Sequence, residues 1–391
     1  MSSLSWVEIK REAPEHNLRE LKRGAKKNII FCAVVKSNAY GHGVKQITSI
    51  LPSADWFAVN SLEEGAELRS FGIKKPILVL GYVPLNQLKE AIALNLSLTV
   101  YNIQTLKKLE RILNGNKQAK IHLKIETGTS RQGIMPEEIP HFADFISKSK
   151  SLFLEGISTH YANIEDTLNP EYAQTQLKRF KNAVKIIKKT GLEPRIIHTA
   201  CTAAAILYPE THFDMLRIGI GLYGLWPSRE TYISALLGSR PLPKLIPVLT
   251  WKTRVAQIKT IPEGSYVGYG CTYRTTRKTR LAVLPVGYAD GYDRSLGNKA
   301  HVLIRGKRAK VLGRVCMNLT MVDVTDIKGV RLEDEVVLIG RSTENKSNKI
   351  GINSECTGEE SITAEMLAEW AGTINYEIVT RISPYLERRI V

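Results

Sequence analysis

The feature that most constrains this chain is an alternation of two textures. Through the first 220 residues, short β-branched or apolar runs recur at Ile29–Lys36, Trp56–Asn60, Pro76–Gly81, Leu96–Tyr101, Ala119–Glu126, Leu152–His160, Arg195–Thr199 and Met215–Gly219. Between them lie stretches of helical periodicity: Val44–Leu51, Leu62–Phe71, Leu85–Leu94, Ile103–Leu113, Glu137–Ile146, Tyr172–Lys189 and a short Cys201–Leu207. Leu106, Leu109 and Leu113, for example, share one helical face. Eight strand-like runs with helices between them match a (β/α)8 TIM-type barrel, which needs about 250 residues. A doubly wound open sheet alternates in the same way, because strand number alone does not prove closure. The barrel is the preferred reading.

Near residue 240 the texture changes. The proline-rich SRPLPKLIPVL reads as a connector, and strands then follow without long helices: Trp251–Ile258, Arg280–Val286, Ala300–Ile304, Ala309–Val315, Leu319–Val324 and Glu335–Ile339. The turn signals PEG, RGK and NKA punctuate them. Arg341–Glu360 is polar and reads as an exposed loop. A helix is expected at Ile362–Trp370 with Ser361 as its cap, then strands at Ile374–Ile382 and Leu386–Ile390. The expectation is therefore a barrel over 12–240 and a mainly β domain over 241–391, with 1–11 packed on the latter.

Composition excludes several classes. The 391 residues are too many for one compact domain and comfortable for two. Hydrophobic residues at 43% and charged residues at 24% describe a folded chain rather than a disordered one. No apolar run approaches the roughly 18 residues of a membrane span. MSSLSWVEIKREAPEH turns polar early and has no apolar leader core, so the cytoplasm is the expected compartment. Five cysteines with no C-x-x-C pair indicate neither a disulfide framework nor a zinc site, and no metal is expected. The net charge of +17 raises a nucleic-acid or membrane-surface binder as an alternative. Its lysines (Lys107, Lys108, Lys178, Lys181, Lys185, Lys188) are spread along helix faces, and no aromatic–basic interleaving or basic amphipathic helix accompanies them. Neither nucleic acid nor membrane is an expected partner.

In a closed α/β barrel the active site lies at the C-terminal ends of the strands. Those positions hold Lys36, Lys124, Glu126, His160, His198 and Arg217. Polar residues that end apolar strands are harder to excuse as packing than polar residues elsewhere. Lys36, ending FCAVVK, places a long amine at the barrel mouth with a hydrophobic strand behind it. Desolvation there lowers an ammonium pKa and favours the free amine that forms Schiff bases. Tyr40 adds a hydroxyl nearby, and Gly41 and Gly43 permit a tight turn.

AVVKSNAYGHG resembles the pyridoxal-phosphate lysine motif of alanine racemases. HLKIETGTSRQG, EGISTHYA, IIHTACTAAA, MLRIGIGLYG, VGYGCTYR, LPVGYADGY, GRVCMNLTMVD and TINYEIVTRIS are similar to that family's other blocks, in order along nearly the whole chain. The resemblance implies a pyridoxal 5'-phosphate-dependent isomerase that interconverts L- and D-alanine and supplies D-alanine for peptidoglycan. It also implies a homodimer in which each site joins a barrel to the partner's β domain.

The site roles follow from that likeness. The cofactor phosphate would be held by the Thr202 hydroxyl, by the backbone N–H groups of Gly219 and Ile220, and by the hydroxyls of Tyr40 and Tyr376. Arg217 would face the pyridine nitrogen, oriented by His160. A guanidinium does not readily give up a proton, so it disfavours the full electron withdrawal that transamination exploits. Racemisation needs an acid/base group on each face of a planar intermediate. Lys36 serves one face and Tyr269 the other. A phenol of ordinary acidity is only about 0.1% ionised at neutral pH, a handicap of roughly 4 kcal/mol, so Tyr269 needs a positive pocket to which Arg294 and His160 are candidates to contribute. Arg131, Tyr288 and the Met317 N–H would bind substrate. Lys124 matches a position that many members carbamylate; a bare ammonium there repels Arg131, and a carbamate attracts it.

Three departures stand out. Asn318 replaces the family's usual aspartate, Cys201 a common asparagine, and Thr202 a usual serine; the 341–360 loop also looks long. Alternatives of the same structural class are a serine or broad-specificity racemase, a basic amino-acid decarboxylase, and a single-barrel cofactor-binding protein without activity. Arg217 argues against the decarboxylase, and the C-terminal domain with VGYGCT and GRVCMN against the single barrel.

Overall fold

A computed structural model describes residues 4–115, 117–342 and 360–391. The chain forms two compact units, one of Glu12–Ala39 and Ile47–Ile246, the other of Met1–Arg11, Tyr40–Gln46 and Pro247–Val391.

The first strand, β1 (Ser5–Ile9), belongs to the second unit and is taken up below. The first unit carries eight parallel strands: β2 (Ile30–Val34), β3 (Trp56–Val59), β4 (Ile77–Val79), β5 (Ser97–Val100), β6 (Ala119–Lys124), β7 (Leu152–Ser158), β8 (Ile196–His198) and β9 (Met215–Ile218). Their order around the sheet is β8-β7-β6-β5-β4-β3-β2-β9. Between β8 and β9 no regular ladder forms, and irregular bonds close the seam instead. Asp214 N–H donates to the Ile197 carbonyl (3.0 Å) and Arg217 N–H to the Ala200 carbonyl (3.0 Å). Ile197 N–H reaches the Asp214 carboxylate at 2.8 Å. The expected barrel is thus a nearly closed one rather than an open sheet.

The intervening helices follow the apolar period. Ile103–Leu113 starts where the Asn102 side chain accepts the Thr105 N–H (2.8 Å), buries Leu106, Leu109 and Leu113, and stops at Asn114 in the left-handed region. The strand expected over Ile29–Lys36 ends two residues early, at Val34, because a left-handed turn begins after Lys36.

In the second unit, β1 pairs antiparallel with β10 (Leu249–Arg254). The remaining strands are β11 (Gln257–Ile261), β12 (Thr279–Leu284), β13 (His301–Ile304), β14 (Lys307–Lys310), β15 (Thr320–Asp323), β16 (Glu335–Arg341), β17 (Ser361–Ile362) and β18 (Glu387–Ile390). They form a sheet ordered β14-β13-β16-β10-β1-β18, with β17 on β16, and a three-stranded sheet β11-β12-β15.

Four expectations need correction here. Trp251–Ile258 is two strands in different sheets, parted at Val255–Ala256. The strand expected at Ala309–Val315 lies earlier, at Lys307–Lys310, because Arg305 and Gly306 both take positive φ and close a two-residue hairpin. The helix cap is Thr363, whose hydroxyl accepts the Met366 N–H at 3.2 Å, while Ser361 lies in β17. Ile374–Ile382 is helical over Asn375–Thr380. There Ile378, Val379 and Ile382 are buried and Ile374 is exposed, a 3.6-residue spacing that β-branched composition disguised. The 341–360 loop falls at 343–359 outside the described residues.

Candidate active site

At the end of β2 the chain reverses its hand. Val35 N–H bonds to the Ala58 carbonyl (2.8 Å), and then Ser37, Asn38, Ala39 and Tyr40 all take φ of 52–53°. For L-residues this conformation costs roughly 1–2 kcal/mol each, so it persists only under outside restraint. Ser37 N–H donates to Glu64 Oε1 at 2.6 Å, and Ala39 N–H to the Val35 carbonyl at 2.9 Å. The Tyr223 hydroxyl adds a bond to the Val34 carbonyl at 2.8 Å. Lys36 is thereby set between a buried strand and a braced turn. Burial, then the Arg131 charge, push its amine pKa below the ordinary lysine value.

Lys124 ends β6 on the same face. Burial first, then Arg217, Arg131 and Lys36, lower its pKa to about 7, against a weaker opposing effect of Glu126. The loop after β6 wraps the Glu126 carboxylate, which accepts N–H bonds from Gly128 (2.6 Å), Thr129 (2.6 Å) and Arg131 (3.2 Å). Burial alone would raise this carboxyl's pKa; the loop N–H groups hold it below the usual range. Glu126 therefore shapes its loop and offsets only part of the charge around Lys124. His160 sits among the same cations, and burial followed by Arg217, Lys124, Arg131 and Lys36 holds it neutral, well below the ordinary histidine pKa.

Arg217, in β9, is buried, and no carboxylate among the described residues lies within ion-pair distance of it. Its guanidinium donates to the carbonyls of Thr159 and Thr199 (both 2.9 Å) and to Nδ1 of His198. His198, not His160, thus orients Arg217. Sequence reading placed both histidines at strand ends but could not separate their neighbours, since strand ends across a barrel are set by tilt and register.

After β8, Thr202 begins a short helix, and its hydroxyl accepts the N–H groups of Gly219 (3.1 Å) and Gly221 (3.4 Å). A Cβ on Gly221 would lie 2.5 Å from Thr202 Cγ2, so the approach of the two loops requires glycine. Ile220 opens the 3-10 turn Ile220–Tyr223 on this pinned backbone. Cys201, where an amide is usual, is a half-buried thiol whose pKa burial raises.

The other expected residues lie in the second unit. The Tyr40 and Tyr376 rings stand 6.2 Å apart. Tyr269 occupies a 3-10 turn flanked by Gly268 and Gly270, both at positive φ, and is 72% exposed. Tyr288 and Met317 are also exposed, on loops joined by Tyr288 N–H to the Cys316 carbonyl (3.1 Å) and Ala289 N–H to the Met317 carbonyl (2.9 Å). Asn318 and Arg294 are exposed in the same unit.

The mouth of this parallel barrel collects Lys36, Lys124, Arg131 and a buried Arg217 with no ion-pair partner among the described residues, a cationic site of the kind that α/β-barrel enzymes offer an anionic ligand. The sequence says which. Residues 9–227 match the family model for the alanine racemase N-terminal domain, and residues 248–390 that for the C-terminal domain. The alanine racemase of Symbiobacterium thermophilum is 41% identical over 389 residues, covering 98% of this chain and 96% of that protein. That of Leptospira interrogans serovar copenhageni is 37% identical over 390 residues, covering 99% and 96%. Among solved structures, alanine racemase from Bacillus anthracis with bound L-Ala-P superposes with a TM-score of 0.89 at 34% identity, covering 100% of this chain and 96% of that one. The enzyme from Clostridium difficile 630 gives 0.87 at 32%, covering 99% and 96%. The chain belongs to the alanine racemase family, and is an isomerase.

Proposed function

We propose that this enzyme interconverts L- and D-alanine with bound pyridoxal 5'-phosphate, in the cytoplasm, and supplies D-alanine for peptidoglycan. The observation that carries the reading is the barrel mouth, where His160 feels both the half-buried Lys36 and a buried Arg217 that has no carboxylate partner among the described residues. A buried cation cluster of that kind favours an electron-rich or anionic group beside it. The residues fit this cofactor. Thr202 and the N–H groups of Gly219 and Ile220, with the hydroxyls of Tyr40 and Tyr376, would hold its phosphate; Arg217 would meet its ring nitrogen; and Lys36 would carry it. When bound, the cofactor withdraws electrons from the substrate and acidifies its Cα–H.

The remaining work belongs to side chains of the protein. Lys36, whose pKa burial and then Arg131 lower, takes or returns the Cα proton on one face. Tyr269 does so on the other. His160 stays neutral in this cationic setting, so it can accept a hydrogen bond without adding repulsion. Arg131 would bind the substrate carboxylate. A Lys124 amine with a pKa near 7 is substantially neutral at physiological pH, the form that reacts with carbon dioxide, so a carbamate there would turn a repulsive neighbour of Arg131 into an attractive one. Tyr266, Tyr269, Tyr288, Met317 and Leu319 are 42–72% exposed on the second unit. Aromatic and apolar side chains gathered at a surface mark an interface, which supports a homodimer in which these loops, with Tyr269 and the Met317 N–H, complete the site of a second copy.

The test is direct. Purified protein is incubated with pyridoxal phosphate and a panel of L-amino acids, and D-products are resolved by chiral chromatography. D-alanine as the main product is expected; D-serine in comparable yield would move the reading to a broad racemase. No D-product from any substrate, or product undiminished by Lys36→Ala, would overturn it.

A further inference from the structure

The interior of a parallel barrel is ordinarily filled by branched apolar side chains. Here a row of polar groups crosses it. Ser97, the first residue of β5, donates its hydroxyl proton to Oε2 of Glu155 on β7. The same oxygen lies 3.2 Å from Nε2 of His122 on β6, and His122 Nδ1 lies 2.8 Å from Nε2 of His198. His198 Nδ1 then meets the Arg217 guanidinium. All five residues are buried.

The row is built in. The β6–β7 register shifts where Ile121 pairs with Leu154 and His122 with Gly156, so Glu155 is the extra, unpaired residue of a bulge in β7. A Cβ on Gly156 would overlap the His122 ring and lie 2.8 Å from the Ile196 carbonyl, so the ring occupies room that only glycine leaves. Trp56 packs edge-on against it with centroids 5.8 Å apart.

Donor and acceptor accounting sets the polarity of the row. A guanidinium only donates, so Nδ1 of His198 accepts and its proton sits on Nε2. That Nε2–H donates to Nδ1 of His122, which therefore also carries its proton on Nε2 and donates it to Glu155. Glu155 accepts from both His122 and Ser97 through Oε2, and these two bonds favour its ionised form. Burial keeps both imidazoles neutral, although Glu155 pulls His122 upward. Burial would raise the Glu155 pKa, but the His122 and Ser97 bonds hold it below the ordinary value. Of Arg217's five N–H bonds, three are used by His198, Thr159 and Thr199 among the described residues, and two are left for a ligand.

We propose that Glu155 is a positioning residue: the anionic end of a one-directional hydrogen-bond chain that presents His198 to Arg217 as an acceptor and so fixes where the guanidinium points. Without the Glu155 acceptor the chain can reverse. His198 would then carry its proton on Nδ1, donor would face donor, and Arg217 would turn away. The consequence for the reaction rests on the racemase reading above; the proton positions do not.

Neutron diffraction from perdeuterated crystals of the wild-type holoenzyme locates the protons directly. Deuterium on Nε2 and none on Nδ1 is expected at both His122 and His198, with Glu155 ionised. Deuterium on either Nδ1, or on the Glu155 carboxyl, would overturn the proposal, and that result stands whether or not D-alanine is made. Variants then test the role. Glu155→Gln keeps an acceptor for His122 and should leave the ratio of transamination to racemisation within about threefold of wild type, while Glu155→Met, of similar size but without an acceptor, should raise it at least about tenfold. An unchanged ratio in folded Glu155→Met would sink the role. Should that variant fail to fold, the wild-type deuterium positions alone decide.

Discussion

Lys36 combines two requirements that oppose each other: it must be buried enough to lose its proton and free enough to reach a ligand. Its position after β2, half-buried beside Arg131, pushes the amine's pKa down while leaving part of the side chain exposed. Lys36→Ala is expected to abolish D-alanine formation and its reverse, as read by chiral chromatography. Tyr269→Phe should lower the rate by about 10²–10³. Because enantiomers have equal free energy, kcat/KM must fall equally in both directions. The asymmetry appears instead in Cα–H exchange with D2O: wash-in from D-alanine should survive through Lys36, while wash-in from L-alanine should be lost. Equal exchange of both isomers would exclude Tyr269 as the second base. Arg217→Glu replaces a fixed cation with a group able to share a proton with its partner, and should raise pyruvate release relative to racemisation. A coupled lactate dehydrogenase assay reads it, and an unchanged ratio counts against the role.

At the scale of elements, the site depends on backbone conformations that sequence patterns only partly reveal. The four left-handed residues Ser37–Tyr40 have no glycine among them, so nothing in the composition announces the turn. Gly41, by contrast, was legible as a turn residue, though not for its tightest constraint. It sits at φ +81°, where a Cβ would overlap the Val379 carbonyl. Gly72 has nearly the same φ, +80°, with nothing within 4 Å of its would-be Cβ. Gly72→Ala should therefore cost about 1 kcal/mol of strain, and Gly41→Ala more than about 2 kcal/mol, in urea unfolding. Equal losses would show that the close approach is not what requires glycine at 41. Strand and helix identities along the barrel could be read from their periods. Asn375–Thr380 was not, because its β-branched residues outvote a helical spacing that only burial makes plain.

Two predictions belong to the molecule as a whole. If each site takes Lys36 from one copy and Tyr269 from the other, mixing inactive Lys36→Ala and Tyr269→Phe proteins restores one good site per mixed dimer, or about a quarter of wild-type activity from an equal mixture. No restoration after subunit exchange would place both bases in one chain. Stability should also carry the mark of Lys124. Its pKa is about 7 in the folded chain and near 10.5 unfolded, so between these values the unfolded state binds more protons and stability rises with pH. Unfolding in carbon-dioxide-free buffer should therefore show wild type gaining on Lys124→Met as pH rises from 7 to 10, by at most about 1.4 kcal/mol per unit. A pH-independent difference would mean that the lysine is not desolvated.

The order of strands and helices around the barrel, the break near residue 240 and the family were written in the primary structure, because period, turn chemistry and motif are local or depend only on order along the chain. Which histidine meets Arg217, and that Glu155 and His122 stand behind it, emerged only in three dimensions. Those groups come from different strands of one barrel, and their meeting depends on closure, on the β7 bulge at Glu155 and on the space left at Gly156. Such features are sums of small register and packing choices over the whole sheet, and no single stretch of residues contains them.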